Sequence, residues 1–106
     1  MPLPNPLPLC LIALMPVAAA AQTPDWTARK CALYADAWAQ AVRIKGLDGI
    51  GLDFQDRHAA FLAQGCTRRG DVCPRSPQEY ALADLLTLMA MSEGTAGSFL
   101  PFACKP

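Results

Sequence analysis

The positions of the cysteines constrain the fold of this chain more than any other feature. Five cysteines occur in 106 residues, and four of them, Cys31, Cys66, Cys73 and Cys104, follow the N-terminal segment. An even number of cysteines in a short exported chain is typical of a disulfide framework. Each disulfide contributes about 2–4 kcal/mol, which matters in a domain too small to bury a large fraction of its surface. The sequence therefore predicts two disulfides.

The N-terminal segment explains why Cys10 is left out of this count. No charged side chain precedes Asp25, and the apolar run over residues 7–22 is broken by Pro16 and ends in small residues. This order is typical of a secretory signal peptide, although no Lys or Arg comes before the run. An uncleaved anchor is the alternative, but the run is shorter than the roughly 20 apolar residues that span a bilayer. We expect residues 1–21 to be a cleaved signal peptide, with cleavage one residue earlier as an alternative, and residues 22–106 to form one disulfide-bonded domain.

The balance of charge limits the partners of this domain. Nine Lys and Arg residues are matched by nine Asp and Glu residues, so the formal net charge is zero. A neutral chain has no overall field that would attract nucleic acid or an acidic membrane. We therefore expect a periplasmic or secreted protein that binds neither nucleic acid nor cofactors and does not span a membrane after signal cleavage. Its expected partner is another exported protein, and the sequence leaves the oligomeric state open.

Apolar periodicity predicts three helices. The first covers about residues 26–45 and has a wide apolar arc that includes Cys31, Tyr34 and Trp38. The second covers about residues 52–64 and ends at a glycine. The third begins at Ser76-Pro77-Gln78-Glu79, which is a capping box with proline at the first helical position, and ends near residue 94. No segment alternates for long enough to predict a strand.

The C-terminal tail, residues 94–106, is glycine-rich at first and then strongly apolar. We expect it to fold back over the helices as a clasp that Cys104 ties down, with room for a short fourth helical turn. The predicted fold is all-α: a small bundle of three helices, or four with the turn in the tail, stapled by two disulfides.

The pairing of the cysteines is open at this level. If neighbouring helices run antiparallel, the start of the first helix, the end of the second and the start of the third share one end of the bundle. Cys31, Cys66 and Cys73 then gather there, and the tail is long enough to bring Cys104 to them. Short loops close most readily, which favours Cys66–Cys73 with Cys31–Cys104. Cys31–Cys66 with Cys73–Cys104 is a close alternative.

The loop between Cys66 and Cys73 carries no catalytic or metal-binding pattern. Six residues separate the two cysteines, whereas redox pairs and haem attachment use two, and zinc knuckles need paired short spacings. The tripeptide Arg69-Gly70-Asp71 matches an adhesion motif, but Gly-Asp is also ordinary turn chemistry, which we favour. Arg68, Arg69 and Arg75 form a local basic cluster. We predict a stapled, solvated turn.

His58 is the one histidine and lies in the middle of the apolar stripe of the second helix. It is a candidate pH-sensitive group, because protonation near pH 6 would expel it from a core. The alternative is a neutral core histidine bonded to a backbone carbonyl or a carboxylate. A lone histidine does not define a catalytic triad, and three short helices leave little room for a cleft. We therefore predict that the protein is not an enzyme.

The third helix is apolar on nearly every side, which is unusual for a helix in so small a chain. Its weaker apolar side and the tail supply a possible partner surface of four residues: Leu88, Met91, Phe99 and Phe102. The sequence therefore favours a non-catalytic protein-interaction module, such as an inhibitor, an assembly factor or an accessory subunit. The alternative is a carrier of a small apolar ligand held between the helices and the clasp.

Overall fold

The computed structural model describes residues 25–95 and 97–105 as three α-helices and one short 3-10 turn. Helix α1 is Trp26–Lys45, α2 is Leu52–Ala63, α3 is Pro77–Ser92, and the 3-10 turn is Gly97–Phe99. This confirms the all-α prediction and the helical turn in the tail. The described residues form no strand, and Val72 and Phe102 make an isolated parallel β-bridge. The predicted signal peptide lies outside the described residues.

Local capping explains where α1 and α3 begin. The Asp25 side chain accepts hydrogen bonds from the backbone N–H groups of Thr27 and Ala28 at the start of α1. At the start of α3, the predicted capping box is present, and Ser76 Oγ accepts the N–H of Glu79 at 3.0 Å. These side chains satisfy N–H groups that have no partner within the helix, so they fix its first turn.

The three helices begin and end at two poles. The Cys31–Cys66 disulfide joins the start of α1 to the end of α2, and we call this end the disulfide pole. At the other end, the Glu79 carboxylate accepts the N–H of Gly51 at 2.7 Å, which brings the starts of α2 and α3 together. We call this end the capping-box pole. The expectation that α3 starts beside the end of α2 is therefore wrong.

A return segment, residues 64–76, causes this difference. It leaves the disulfide pole and runs back along α2, where Asp71 pairs with Arg57 at 2.6 Å and Arg75 pairs with Asp53 at 3.3 Å. Its middle also pairs with the tail, because the Val72 N–H donates to the Pro101 carbonyl at 3.0 Å. The segment thus delivers the chain to the capping-box pole before α3 begins.

The path of the return segment decides the disulfide pairing. The bonds are Cys31–Cys66, with 5.5 Å between Cα atoms, and Cys73–Cys104, with 4.6 Å. The favoured pairing of Cys66 with Cys73 and of Cys31 with Cys104 is wrong, and the alternative pairing is correct. The return segment places Cys73 next to the tail, whereas Cys66 lies at the end of α2 beside α1.

The core lies between the inner faces of the helices and is closed by the tail. Its buried apolar side chains come from all three helices and from the connecting segments: Tyr34, Ala37, Ala41, Ile50, Phe54, Phe61, Cys66, Val72, Leu82, Leu86 and Ala90. Phe99 and Phe102 are half-buried and pack against this core. The tail therefore folds back over the helices as predicted.

Candidate functional site

One side of α3 remains apolar and exposed. Tyr80, Asp84, Leu88 and Met91 follow each other at intervals of four, four and three residues, which places them on one face of a helix. We call this set the α3 outer face. The Tyr80, Leu88 and Met91 residues are 54%, 68% and 56% exposed. The opposite face of α3 carries Leu82 and Leu86, both fully buried.

The α3 outer face combines apolar side chains with one carboxylate. Asp84 is exposed, and within the described residues it has no ion-pair partner. Helix α3 contains no Lys or Arg, so no cation on this helix covers its apolar side chains. Exposed tyrosine and methionine are typical of surfaces that contact other proteins.

The structure divides the four residues of the predicted partner surface between two places. Leu88 and Met91 belong to the α3 outer face, whereas Phe99 and Phe102 contribute to an aromatic cluster under the tail. The Phe99 ring makes T-shaped contacts with the rings of Tyr34 and Phe61, with centroids 5.8 and 6.0 Å apart. Its outer side is covered by Lys30, whose Nζ lies 5.1 Å from the ring centroid.

His58 lies at the centre of this aromatic cluster and is fully buried. Trp38 stacks on the imidazole at 3.9 Å between centroids, and the rings of Phe54 and Phe102 lie at 6.3 and 6.2 Å. The Tyr34 hydroxyl is 2.8 Å from Nε2. His58 is thus a core histidine, as the alternative interpretation held, but its partner is a phenol instead of a carbonyl or carboxylate.

The hydrogen bonding of His58 is incomplete within the described residues, because Nδ1 is buried without a partner. If Tyr34 donates to Nε2, only the Nδ1–H group lacks a partner. If Nε2 donates to Tyr34, the hydroxyl hydrogen and the Nδ1 lone pair both lack one in the described contacts. The first arrangement leaves fewer buried groups unpaired, so we assign Tyr34 as the donor.

Burial decides the charge state of His58. Removal from water lowers its pKa to about 4, because a charged imidazolium loses its hydration in an apolar site. Contact between the imidazolium and an aromatic face returns only about 0.5–2 kcal/mol, which does not reverse this effect. Burial likewise raises the pKa of Tyr34 well above its usual value. Both groups are neutral at pH 7, and the pH sensitivity of His58 stays a prediction.

The Arg69-Gly70-Asp71 loop is built into the fold. The Asp71 carboxylate is paired with Arg57 at 2.6 Å. Gly70 lies so close to the tail that a Cβ atom there would overlap the backbone of Pro101. These contacts give both Gly70 and Asp71 a structural role. The predicted staple across the loop is wrong, because Cys66 and Cys73 are bonded to Cys31 and Cys104 and not to each other.

Glu79 has a larger role than the sequence suggested. It is buried, and its carboxylate accepts the N–H groups of Gly51 and Arg75 at 2.7 Å each and that of Ser76 at 3.4 Å. Burial raises the pKa of this carboxyl, but these three backbone donors and the Arg75 charge outweigh burial and hold it below the usual value. The capping-box pattern predicted the bond between Glu79 and Ser76. It did not predict the hydrogen bond that Glu79 accepts from the Gly51 N–H.

Residues 25–95 and 97–105 contain no three His, Cys, Asp or Glu side chains close enough together to hold a metal ion. None of the helices found in this part of the chain combines the length and apolar character needed to cross a bilayer. Comparison of the chain with protein-family models, with curated proteins and with solved structures finds no match.

Proposed function

We propose that this protein is a small exported, non-catalytic interaction module that contacts another exported protein through the α3 outer face. The observation that carries the proposal is the exposure of Leu88 and Met91, at 68% and 56%, on a helix whose opposite side is already buried. Both side chains are apolar, and burying them against a partner would remove them from water.

The rest of the fold supports this role by holding α3 in place. The capping box and the Glu79 carboxylate fix its start, and two disulfides fix the segments that surround it. A rigid helix loses little conformational freedom when it binds, which favours affinity. Disulfides are compatible with an oxidising compartment outside the cytoplasm, which is the compartment where we place both the protein and its partner. An inhibitor, an assembly factor and an accessory subunit are the roles such a module would fill.

The alternative, a carrier of a small apolar ligand, requires space between the helices and the tail. Phe99 and Phe102 pack into that position against Tyr34, Phe61 and His58. We therefore rank the carrier second. The carrier hypothesis would need a buried cavity that opens between the helices and the tail in solution. Binding of an apolar dye to the oxidised protein would reveal such a cavity.

Site-specific photocrosslinking in the organism that produces this chain tests the proposal. A photoreactive residue is placed at Leu88 or Met91 and, as matched controls, at Ile44 or Leu52, which are 68% and 75% exposed. We expect a discrete crosslinked partner from positions 88 and 91 and none from positions 44 and 52. The same pattern of adducts at all four positions, or no adduct at 88 and 91, would refute the α3 outer face as the contact surface.

A further inference from the structure

A second surface of this protein concentrates positive charge. Arg68 and Arg69 follow Cys66 at the disulfide pole, and they line a cleft of about 100 Å³ together with Arg57 and Gly70. A second depression adjoins this cleft, because Arg69 and Gly70 also line it, and Lys105 of the tail completes it. We call the two together the arginine cleft.

The arginine cleft is a product of the fold and is not visible in the sequence. Arg75 is near Arg68 and Arg69 in the sequence. In the fold it lies beside α2, where it pairs with Asp53 at 3.3 Å. Arg57 and Lys105 take its place, one from α2 and the other from the tail. Three elements distant in sequence therefore supply the cations.

The charges in the arginine cleft are only partly neutralised. Asp71 also lines the cleft. Its carboxylate is paired with Arg57 at 2.6 Å, and Arg57 in turn pairs with Asp53 at 3.0 Å, so the charge of Asp71 is compensated within the fold. Arg68, Arg69 and Lys105 have no ion-pair partner within the described residues. An anionic group entering the cleft would meet cations that do not have to be released from another carboxylate.

We propose that the arginine cleft binds an acidic peptide segment of a partner protein. Guanidinium groups match carboxylates in a planar, two-hydrogen-bond geometry, and the cleft has the volume for one such group. The adjoining depression at Lys105 places a second cationic site beside the first, which suits successive carboxylates along an extended chain. A single small oxyanion would occupy only the first depression.

Binding of fluorescein-labelled hexaglutamate, followed by fluorescence anisotropy at low salt, tests the proposal. The variant R68A/R69A is expected to weaken binding by at least about tenfold, because it removes the uncompensated guanidinium groups. The matched control R43A/K45A also removes two cations, but from the last turn of α1 at the capping-box pole, and is expected to bind like the wild type. Addition of salt should weaken the wild-type interaction as the exposed charges are screened.

Four results would count against the proposal. Equal loss of affinity in both double variants, or no binding by the wild type, would show that the cleft has no specific role. Inorganic phosphate that saturates the protein while hexaglutamate does not would show a site for small anions instead of peptides. Amide chemical shifts of the wild-type protein provide a readout without mutation: hexaglutamate should shift Arg69, Gly70 and Ala103, and shifts confined to other residues would count against the cleft.

Discussion

The Tyr34 hydroxyl and Nε2 of His58 are 2.8 Å apart in the centre of the core, joined by a hydrogen bond between α1 and α2. Both groups are polar and buried. Apolar side chains of similar size could fill the same space. Nδ1 of His58 has no partner within the described residues, so the pair carries a cost in stability. We expect this cost to rise when the imidazole is protonated, which would couple the stability of the fold to pH.

We expect the stability of the protein to fall between pH 6.5 and pH 4 because of His58. The pKa of His58 is about 4 in the folded protein, below its usual value of 6.5, so the unfolded chain binds a proton more readily. The contribution of neutral His58 is therefore complete above pH 6.5 and is lost as the pH falls toward 4. The pKa difference corresponds to about 3 kcal/mol. Chemical denaturation at a series of pH values measures this loss.

The double variant Y34F/H58F is the control for this pH dependence. It keeps the aromatic packing and removes both polar groups, so no buried phenol is left without its partner. Carboxylates such as Asp53 and Glu79 titrate in both proteins, and their effect cancels in the difference. The variant should lose about 3 kcal/mol less than the wild type between pH 7 and pH 4. Parallel pH profiles of the two proteins would show that His58 does not contribute.

Among the carboxylates of the described residues, we expect Glu79 to contribute most to stability, because it is buried and joins the starts of α2 and α3. The variant E79A leaves the N–H groups of Gly51 and Arg75 without their acceptor and should lower the free energy of unfolding by about 2–3 kcal/mol. Glu93 ends α3 and is exposed, so E93A should change it by less than about 0.5 kcal/mol. Urea denaturation measures the free energy of unfolding of both variants. A similar loss in E79A and E93A would contradict the role of Glu79 in joining α2 to α3.

The fold was predictable where structure is set by neighbours in the sequence. The Ser76–Glu79 capping box predicted the start of α3, since capping acts within one turn. The apolar stripe around His58 favoured a position in the core, which the structure shows. The partner of His58 was not predictable, because Tyr34 is 24 residues away.

Long-range contacts also explain the error in the disulfide pairing. The return segment is positioned by Arg57, which is 14 residues before Asp71, and α3 is positioned by a bond that spans 28 residues between Gly51 and Glu79. Loop length alone favours closure of Cys66 onto Cys73 and contains no information about these contacts. The arginine cleft depends on the same path and for the same reason could not be read from the sequence.

Gly70 offers a test of the structural role of the Arg69-Gly70-Asp71 loop. In G70A the added Cβ would overlap the backbone of Pro101, so the tail or the return segment has to move. Overpacking of this kind lowers the free energy of unfolding by about 1–3 kcal/mol. Gly97 has open space around the same position, so G97A should have little effect. Equal stability of G70A and the wild type in thermal denaturation would show that the loop and the tail are not in contact.

The two faces of α3 should respond oppositely to mutation if the outer face is kept for binding. Leu82 is fully buried, and L82A should cost about 2–5 kcal/mol of stability through the cavity it leaves. The variant L88S/M91S removes side chains that are 68% and 56% exposed and should change stability by less than about 1 kcal/mol. In L88S/M91S the photoreactive residue is placed at position 80, which is also on the α3 outer face. We expect this variant to lose the crosslinked partner and the control variant I44S/L52S to retain it. A large loss of stability in L88S/M91S would mean that these residues serve the fold, and their exposure would no longer argue for a partner.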